Sequence, residues 1–442
     1  MLKRFSVENF SSFMELSTLD LTAGKIDRHD SHLFDFDNVK ILKSAIIYGA
    51  NASGKSNFIK AIDFARQVII DGLDKVDTFK KFFRLVKSKE VSPSSFEFEL
   101  ELNNIFYSYG FSSILSTGKI AEEWLYQIGT TTPKLIFERT DNEITLGSKL
   151  KNNQRFNIYK DDMKNQSSQL FLSEIGKKEL DGKEIPESLP LNQIFQWFID
   201  SLLILYPDTT FLGNSAIKRD KNLSKVFKDY LSSFDTGVVD ISEIEEDFEK
   251  NLKHLPTKIK KEIEKDLSNS GVKIAFPDPN GHLFTIFRND SGEIKILKLG
   301  LVHGLDYQEV FELKDESDGT IRLLDLIPLL TKTSENKTIF IDEFDRSLHP
   351  KLTKEFFSLF YKLNKHKSQL IVTTHESTLL DLDLLRQDEI WFTEKNKIGA
   401  SRLFSLNEFK VRYDKKIEKA YLLGRYGAVP LFKTFENLEL EN

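Results

Sequence analysis

The sequence predicts a mixed α/β fold in which both ends of the chain build one head around an inserted helical lobe. The first observation behind this prediction is the apolar run 45–48, which is followed at once by a glycine-rich loop and a helix with apolar residues at helical spacing. The second is a pair of alternating runs, 96–102 and 105–111, joined by two asparagines, which is typical of a β hairpin. The third is a distant apolar run, 337–341, which ends in two carboxylates. Strand and helix signals in this order indicate an α/β head with an antiparallel β lobe beside it.

Changes of pattern along the chain predict four parts. We expect residues 1–150 to form the N-terminal part of the head with the β lobe, and residues 151–270 to form the helical insertion. Residues 271–405 complete the head, and residues 406–442 form a C-terminal helical tail. The helices expected in the insertion cover 167–178, 191–205, 223–234, 241–252 and 256–267. The strands expected after it cover 272–276, 282–288, 294–299 and 308–313.

Composition narrows the possible classes of function. The formal net charge of −6 argues against a protein that coats nucleic acid through its overall charge, so any DNA binding has to be local. The run 258–265 is rich in lysine, but its interspersed glutamates favour a solvated helix over a DNA-binding face. The chain has no cysteine, which excludes disulfides and thiolate metal sites. No apolar stretch has membrane-spanning length and no leader pattern is present, so we expect a cytoplasmic protein without a membrane span.

The glycine-rich loop has the spacing G-x-x-x-x-G-K-S, which is typical of loops that bind nucleotide phosphates. It consists of Gly49, Ala50, Asn51, Ala52, Ser53, Gly54, Lys55 and Ser56, and Asn57 of the following helix joins the expected nucleotide-binding residues. In such loops backbone N–H groups and the positive end of the helix face the phosphates. We expect Lys55 to reach the β- and γ-phosphates of ATP and Ser56 to hold Mg²⁺.

Two later strands end in residues that suit phosphoryl transfer to water. Asp342 and Glu343 follow the run 337–341; the first is expected to support Mg²⁺ and the second to act as the catalytic base. The apolar run 369–374 ends at His375, whose imidazole can donate a hydrogen bond to a γ-phosphate oxygen and hold the attacking water. Together with Lys55, these residues predict ATP hydrolysis.

A third segment adds an anion cradle. It consists of Ser317, Asp318, Gly319 and Thr320, which precede an apolar helix. A serine and a glycine at a helix N-terminus can bind an anion, although an ordinary N-cap uses the same residue types. The cradle has no obvious way to reach Lys55 of its own chain, so we expect it to close over nucleotide bound by a second copy. The prediction is a head-to-head dimer with two nucleotides in the interface.

These motifs, in this order, resemble those of the ABC-type ATPase heads of the RecF, SMC and OLD group. More narrowly, segments 316–320, 342–350 and 420–430 look like those of AAA-family ATPases from abortive-infection and other anti-phage systems. The resemblance implies that Ser317 and Gly319 act as a signature in trans and that Asp345 is the D-loop acid that bridges protomers. Asp318 departs from the pattern, because transporters carry a glycine there.

The resemblance implies a bacterial defence ATPase that is paired with a separately encoded toxin or nuclease. The leading hypothesis is an ATP-driven switch that responds to DNA or to a phage protein. The alternative is a RecF- or SMC-like ATPase that acts on DNA in repair or genome maintenance. A transporter motor is disfavoured by the long interval between Ser56 and Ser317, and a scaffold without catalysis stays a further alternative.

Overall fold

The protein consists of two compact units in the computed structural model. The structure describes residues 1–36, 39–129, 132–178, 180, 185–209, 221–253, 255–267, 272–277, 283–331, 335–409, 411 and 416–429. Unit 1 comprises Met1–Pro207, Thr333–Asp345 and Phe360–Asn442. Unit 2 comprises Asp208–Lys332 and Arg346–Leu359.

Unit 1 begins with an antiparallel sheet and the strand and helix that flank the glycine-rich loop. The elements are β1 (Leu2–Glu8), β2 (Ser17–Asp20), β3 (Leu33–Phe36), β4 (Val39–Leu42), β5 (Ser44–Gly49), α1 (Lys55–Asp71), β6 (Ser94–Leu102), β7 (Ile105–Ile114), β8 (Lys119–Ile128), β9 (Lys134–Thr140) and β10 (Glu143–Leu146). Seven of these strands pair in the order β10-β9-β8-β7-β6-β1-β2. The predicted hairpin is confirmed: Asn103 and Asn104 turn between β6 and β7 with φ of 53° and 64°.

Helices of the predicted insertion follow and belong to unit 1. They are α2 (Ser148–Lys151), α3 (Gln154–Asp162), α4 (Phe171–Gly176) and α5 (Leu189–Gln196), and the chain then enters β11 (Leu202–Leu205). The prediction of one helix over 191–205 is therefore wrong at its end. A short apolar run cannot be assigned to helix or strand from periodicity alone, and the strand forms because β11 finds a parallel partner far along the chain.

Unit 2 combines helices with a sheet of its own. Its elements are α6 (Lys221–Ser233), β12 (Val238–Asp247), α7 (Phe248–Asn251), α8 (Thr257–Asp266), β13 (Lys273–Pro277), β14 (Leu283–Arg288), β15 (Ile294–His303), β16 (Glu309–Glu312) and α9 (Asp318–Thr331). The strands pair in the order β12-β15-β14-β13, with β16 on β15. The strands expected over 272–313 are confirmed, as are the helices now labelled α6 and α8.

The helix predicted over 241–252 is wrong, because most of this segment is β12. Val238, Ile241 and Ile244 recur every third position, which imitates a helical face. In the structure β12 pairs with β15 along its whole length, with an irregularity in register between Val238 and Asp240. The four-part division of the chain stays a prediction, although the boundaries of the two compact units differ from it.

The last part of the chain completes the central sheet of unit 1. Its elements are β17 (Thr338–Ile341), α10 (Pro350–Leu363), β18 (Gln369–Thr373), β19 (Ile390–Lys395), β20 (Ser401–Ser405) and α11 (Ile417–Leu422). The six strands pair in the order β11-β17-β18-β5-β19-β20, and every pair is parallel except β19 with β20. The predicted mixed α/β class is thereby confirmed. Residues 410, 412–415 and 430–442 of the predicted tail lie outside the described residues.

Aromatic rings fill the space between α1 and the seven-stranded sheet. The Phe5 ring lies 5.4 Å from Phe58 of α1 and 4.7 Å from Phe98 of β6. All three side chains are buried, so the helix that follows the glycine-rich loop is fixed against a rigid surface. Among the described residues, no helix combines the length and apolar character needed to span a bilayer.

Candidate nucleotide site

The glycine-rich loop leaves the carboxyl end of β5, which is buried along its whole length, and opens directly into α1. Its two motif glycines have no room for a side chain. A Cβ atom on Gly49 would lie 2.5 Å from both Ser53 Oγ and Thr393 Oγ1. Gly54 has a φ of 122°, and the side chain of Ser401 occupies the space that a Cβ atom would need. The loop conformation therefore depends on glycine at both positions.

Lys55 lies across the loop with its ammonium group held by backbone carbonyls. Its Nζ donates to the oxygen of Gly49 at 2.8 Å and to that of Ala50 at 3.3 Å. Burial lowers the pKa of Lys55 to about 8, although nearby carboxylates, chiefly that of Asp342, act in the opposite direction. The ammonium is thus removed from water and donates to neutral carbonyl oxygens. Charged phosphate oxygens would accept stronger hydrogen bonds from it.

Hydroxyl groups of residues that are distant in the sequence hold the glycine-rich loop by hydrogen bonds. Ser401 Oγ donates to the carbonyl oxygen of Ser53 at 2.6 Å, and Ser53 Oγ lies 2.6 Å from Thr393 Oγ1. Ser12 Oγ lies 2.8 Å from Ser401 Oγ and accepts a hydrogen bond from Asn57 Nδ2 at 2.9 Å. The side chain of Asn57, predicted to bind nucleotide, is therefore engaged in holding the loop. Three of these residues, Ser12, Thr393 and Ser401, belong to other strands and loops. No local motif marks them, so the sequence does not predict their role.

Thr373 joins the two acidic residues that follow β17. Its hydroxyl donates to Asp342 Oδ1 at 2.6 Å and accepts from the backbone N–H of Glu343 at 2.9 Å. Asp342 is buried, and Glu343 has a φ of 50°, in the left-handed region that is uncommon for a residue with a side chain. One hydroxyl at the end of β18 therefore orients the carboxylate of Asp342, predicted to support Mg²⁺, and holds the backbone of Glu343, the predicted catalytic base. This role was not predicted.

Asp345 holds the segment that carries His375. Its carboxylate accepts from Thr374 Oγ1 at 2.8 Å and from the backbone N–H of His375 at 3.2 Å. Burial, and next the charge of Lys55, lower the pKa of His375, so the imidazole is neutral near neutral pH. A neutral ring has one donor and one acceptor, which suits a group that contacts both a phosphate oxygen and a water molecule. The role of Asp345 as a bridge between protomers stays a prediction.

The predicted phosphate loop and two of the predicted catalytic residues line one cavity of about 520 Å³. Its lining residues are Asn51, Ala52, Ser53, Gly54, Lys55, Ser56, Asn57, Glu343, His375 and Lys395. Lys395, at the end of β19, is an addition that the motifs did not indicate. Asp342 lies beside the cavity next to Glu343.

The donor set fits Mg²⁺. This ion takes one or two carboxylates together with substrate phosphates and keeps several waters, rather than needing an all-protein cage. Asp342 supplies a buried carboxylate that Thr373 orients, and Ser56 supplies a hydroxyl on the loop. Within the described residues no group of three or more His, Asp and Glu side chains forms such a cage.

The predicted signature residues lie in unit 2, at the start of α9. Ser317 Oγ accepts from the backbone N–H of Thr320 at 3.1 Å, which is the contact of an N-cap, and lies 2.9 Å from Thr320 Oγ1. A Cβ atom on Gly319 would lie 2.9 Å from the carbonyl oxygen of Ser347, so glycine permits close packing here. The N-cap alternative therefore holds within the chain, and the contact with a second copy stays a prediction.

The pKa of Lys55 predicts how nucleotide affinity depends on pH. Phosphate oxygens favour the charged ammonium, so binding raises the pKa of Lys55 from its value of about 8. The ATP dissociation constant is expected to rise about tenfold between about pH 7 and about pH 9, with uptake of about half a proton near pH 8. Equilibrium titration and calorimetry in buffers of different ionisation enthalpy measure both. The control Lys395→Arg should retain this dependence; affinity that is flat over the range contradicts the assignment.

A matched pair of variants tests the role of the Thr373 hydroxyl. Thr373→Val keeps the shape of the side chain but removes the hydrogen bonds to Asp342 and Glu343. We expect kcat for ATP hydrolysis to fall roughly 100-fold with little change in KM, because positioning partners of reacting groups typically contribute that much. Thr373→Ser, which retains the hydroxyl, is expected to restore most of kcat. Steady-state kinetics checks both, and equal activity of the valine and wild-type proteins would refute the role.

Comparison with known proteins gives the same family as the motifs. The family described as “AAA domain, putative AbiEii toxin, Type IV TA system” matches residues 44–381. No curated protein matches the chain. Because the family match covers more than half of the chain, the resemblance to AAA-family ATPases drawn from the motifs is confirmed.

Solved structures of SMC heads are similar at a distance. An SMC head bound to the C-winged helix domain of ScpA has 14% sequence identity and a TM-score of 0.44, and the match covers 91% of this chain and 97% of that chain. The SMC head domain from Thermotoga maritima has 14% sequence identity and a TM-score of 0.37, and the match covers 91% of this chain and 98% of that chain. The Smc head with an extended coiled coil bound to the C-terminal domain of ScpA, derived from Pyrococcus furiosus, has 15% identity and a TM-score of 0.40, and the match covers 96% of this chain and 98% of that chain. The chain itself belongs to the AAA domain family whose description names the AbiEii toxin and Type IV TA systems.

Proposed function

We propose that the protein is an ATP-binding and ATP-hydrolysing switch. The observation that carries this proposal is the convergence of Lys55, Glu343 and His375 on one cavity, with Asp342 held next to Glu343 by Thr373. A phosphate-binding loop alone would support binding. A buried carboxylate, a second carboxylate facing the cavity and a neutral imidazole at the same edge of a sheet support hydrolysis as well.

In the proposed reaction each side chain has one task. The loop N–H groups and Lys55 hold the β- and γ-phosphates, and Mg²⁺ bound near Ser56 and Asp342 supplies neutralisation of charge on the phosphate oxygens. Glu343 accepts a proton from a water molecule whose oxygen attacks the γ-phosphorus, while the bond to the bridging oxygen of ADP breaks. His375 donates a hydrogen bond to a γ-phosphate oxygen and keeps the water in line. The products are ADP and phosphate.

The proposed switch is a homodimer that forms around two ATP molecules. Ser317 and Gly319 lie at the N-terminus of α9, a 14-residue helix whose positive end suits an anion. In the proposed dimer this end caps the γ-phosphate held by the loop of the other copy. ATP binding then closes the dimer, and hydrolysis reopens it.

Glu343→Gln tests both hydrolysis and the dimer. The amide cannot accept the proton from water, so we expect ATP turnover to fall by about 100-fold or more while ATP still binds. Because the closed state no longer decays, the variant should be a dimer with ATP and Mg²⁺ and a monomer without them, as measured by light scattering after size exclusion. Glu355→Gln, at an exposed position on α10, is the matched control. Unchanged turnover in Glu343→Gln would show that another group is the base.

We further propose that this switch belongs to a bacterial anti-phage system of the abortive-infection kind. The family description names a toxin and a TA system, which supports a role in a system that consists of two different proteins. In this proposal the protein works in the cytoplasm as ATPase and sensor, a separately encoded toxin or nuclease is the effector, and DNA or a phage protein is the trigger. The proposed ATP site supplies the means to connect trigger and effector.

Phage challenge tests this role. Bacteria that express the chain, the protein encoded beside it, or both are infected and scored for plaques and for growth. We expect protection only with both proteins, and its loss with Lys55→Ala in the chain. Protection or toxicity from the chain alone would place the effector activity in this protein. Binding of purified chain to duplex DNA that needs ATP and weakens steeply with salt would instead favour the RecF- or SMC-like alternative.

A further inference from the structure

Two exposed apolar features play no part in the reaction described above. The first, here called the loop groove, is a cavity of about 640 Å³ on unit 1. It is lined by Val76, Asp77, Thr78, Phe79, Lys80, Phe82, Arg84, Glu90, Leu115 and Ser116. Phe79 is 73% exposed at its rim, and the neighbouring Leu85 is 69% exposed. Two large apolar side chains at such exposure in one short segment suit a surface that a partner covers.

The loop groove is attached to the nucleotide site. The backbone N–H of Ser11 donates to the carbonyl oxygen of Lys81 at 2.5 Å, and the next residue, Ser12, is the hydroxyl that holds Asn57 and Ser401. Leu85 lies against Gly399, in the turn that leads into β20. The groove therefore lies within a few residues of the anchors of the phosphate loop.

The segment that forms the loop groove is basic. Its residues 79–90 carry Lys80, Lys81, Arg84, Lys87 and Lys89 against Glu90, although the cavity lining alone has two cations, Lys80 and Arg84, and two carboxylates, Asp77 and Glu90. Asp77 pairs with Lys81 and Glu8 pairs with Lys89, at 3.5 Å and 3.6 Å. Within the described residues the other three cations form no ion pair, and Lys80 lies 4.8 Å above the ring of Phe79. Lys80 and Arg84 thus lie among apolar side chains of the groove, which suits an apolar segment that carries carboxylates.

The second feature, here called the hairpin tip, is the turn between β15 and β16 in unit 2. Leu305 and Tyr307 are 85% and 78% exposed, and Asp306 lies between them. Gly304 makes the turn with a φ of 89°, and Tyr307 donates to Glu309 Oε2 at 3.0 Å. The tip therefore presents two large side chains together with two carboxylates, a charge opposite to the net charge of the segment that forms the loop groove.

The hairpin tip is attached to the predicted signature. His303, at its base, has Nε2 2.7 Å from Oε1 of the buried Glu316. Glu316 directly precedes Ser317, the serine proposed to cap the nucleotide of a second copy. Each exposed feature thus lies close to one half of the proposed composite site. The loop groove lies close to the phosphate loop, and the hairpin tip lies close to the signature.

We propose that in the ATP-bound homodimer the hairpin tip of each copy inserts into the loop groove of the other. This inference rests on the proposed function, because a signature that caps the partner's nucleotide also brings the elements attached to both motifs together. Leu305 and Tyr307 would fill the apolar part of the groove, and Asp306 and Glu309 would face its cations. Two-fold symmetry makes the contact twice, once beside each nucleotide.

Cross-linking tests the contact directly, because the chain has no cysteine of its own. Phe79→Cys and Leu305→Cys are purified separately, mixed, and treated with a short bis-maleimide with and without a non-hydrolysable ATP analogue and Mg²⁺. We expect a covalent dimer in the mixture only when nucleotide is present. The matched control replaces Leu305→Cys with Ile259→Cys, which lies in unit 2 away from the tip sequence and is 36% exposed. The control mixture should give little covalent dimer.

Charge exchange tests the electrostatic part. The double variants Asp306→Lys with Glu309→Lys, and Lys80→Glu with Arg84→Glu, each place like charges in contact and should weaken nucleotide-dependent dimerisation by roughly 10-fold or more. The chain that carries all four changes should recover most of the loss. Binding of a fluorescent ATP analogue to the monomer should match wild type in every variant, which also shows that the variants fold.

Distinct results overturn the inference. Dimerisation with nucleotide but no cross-link between Phe79→Cys and Leu305→Cys would place the tip elsewhere. A cross-link found only when both cysteines are in one chain would make the contact intramolecular. If the groove variant dimerises normally but loses affinity for duplex DNA, the basic segment is a phosphate-binding surface instead. If wild-type protein binds no ATP or does not dimerise with it, the proposed function fails first, and the inference fails with it.

Discussion

The parallel pairing of β5 with β18, and of β18 with β17, is the constraint on which the candidate site depends. It joins Ile47 to Thr373 and Ile341 to Val372, residues that lie far apart in the sequence. The carboxyl ends of parallel strands meet at one edge of a sheet, where open α/β folds place their ligands. The glycine-rich loop, the two acidic residues and the histidine segment therefore share an edge because their strands share a sheet.

Hydrogen bonds between residues of the chain organise that edge. Thr373 fixes the residues after β17, and Asp345 fixes those after β18, so each strand end is tied to the other by side-chain hydrogen bonds. The backbone of Glu343 costs about 1 kcal/mol or more in its left-handed conformation, and its N–H bond to Thr373 offsets part of this cost. Burial lowers the pKa of Lys55 because it disfavours the charged ammonium. An anion beside Lys55 would favour the charged form again, so burial strengthens the preference of this site for phosphate.

Sequence reasoning found what is encoded locally and missed what depends on distant partners. The glycine-rich loop between a strand and a helix, the hairpin at Asn103 and the strand that ends in two carboxylates are short patterns with their own physical signature, and the structure has these elements at the predicted positions. The sequence patterns of β11 and β12 predict helices, because what makes these segments strands is a partner far along the chain. The same holds for single side chains. Thr373 and Ser401 act through contacts with residues on other strands and loops, and no spacing within their own segments reveals that.

The hydroxyl of Ser317 can form the N-cap and also serve the signature role proposed for it. A hydroxyl has one donor and two acceptor positions, so an Oγ that accepts from the backbone of Thr320 still has a proton to donate to a phosphate oxygen. The difficulty is Asp318, whose carboxylate would repel the anion that the helix end attracts. A dimer closed by the signature alone would then be weak. In the proposed dimer, the contact between the hairpin tip and the loop groove lies outside the nucleotide site, where its attraction would offset that repulsion without weakening the selectivity of the cap for ATP.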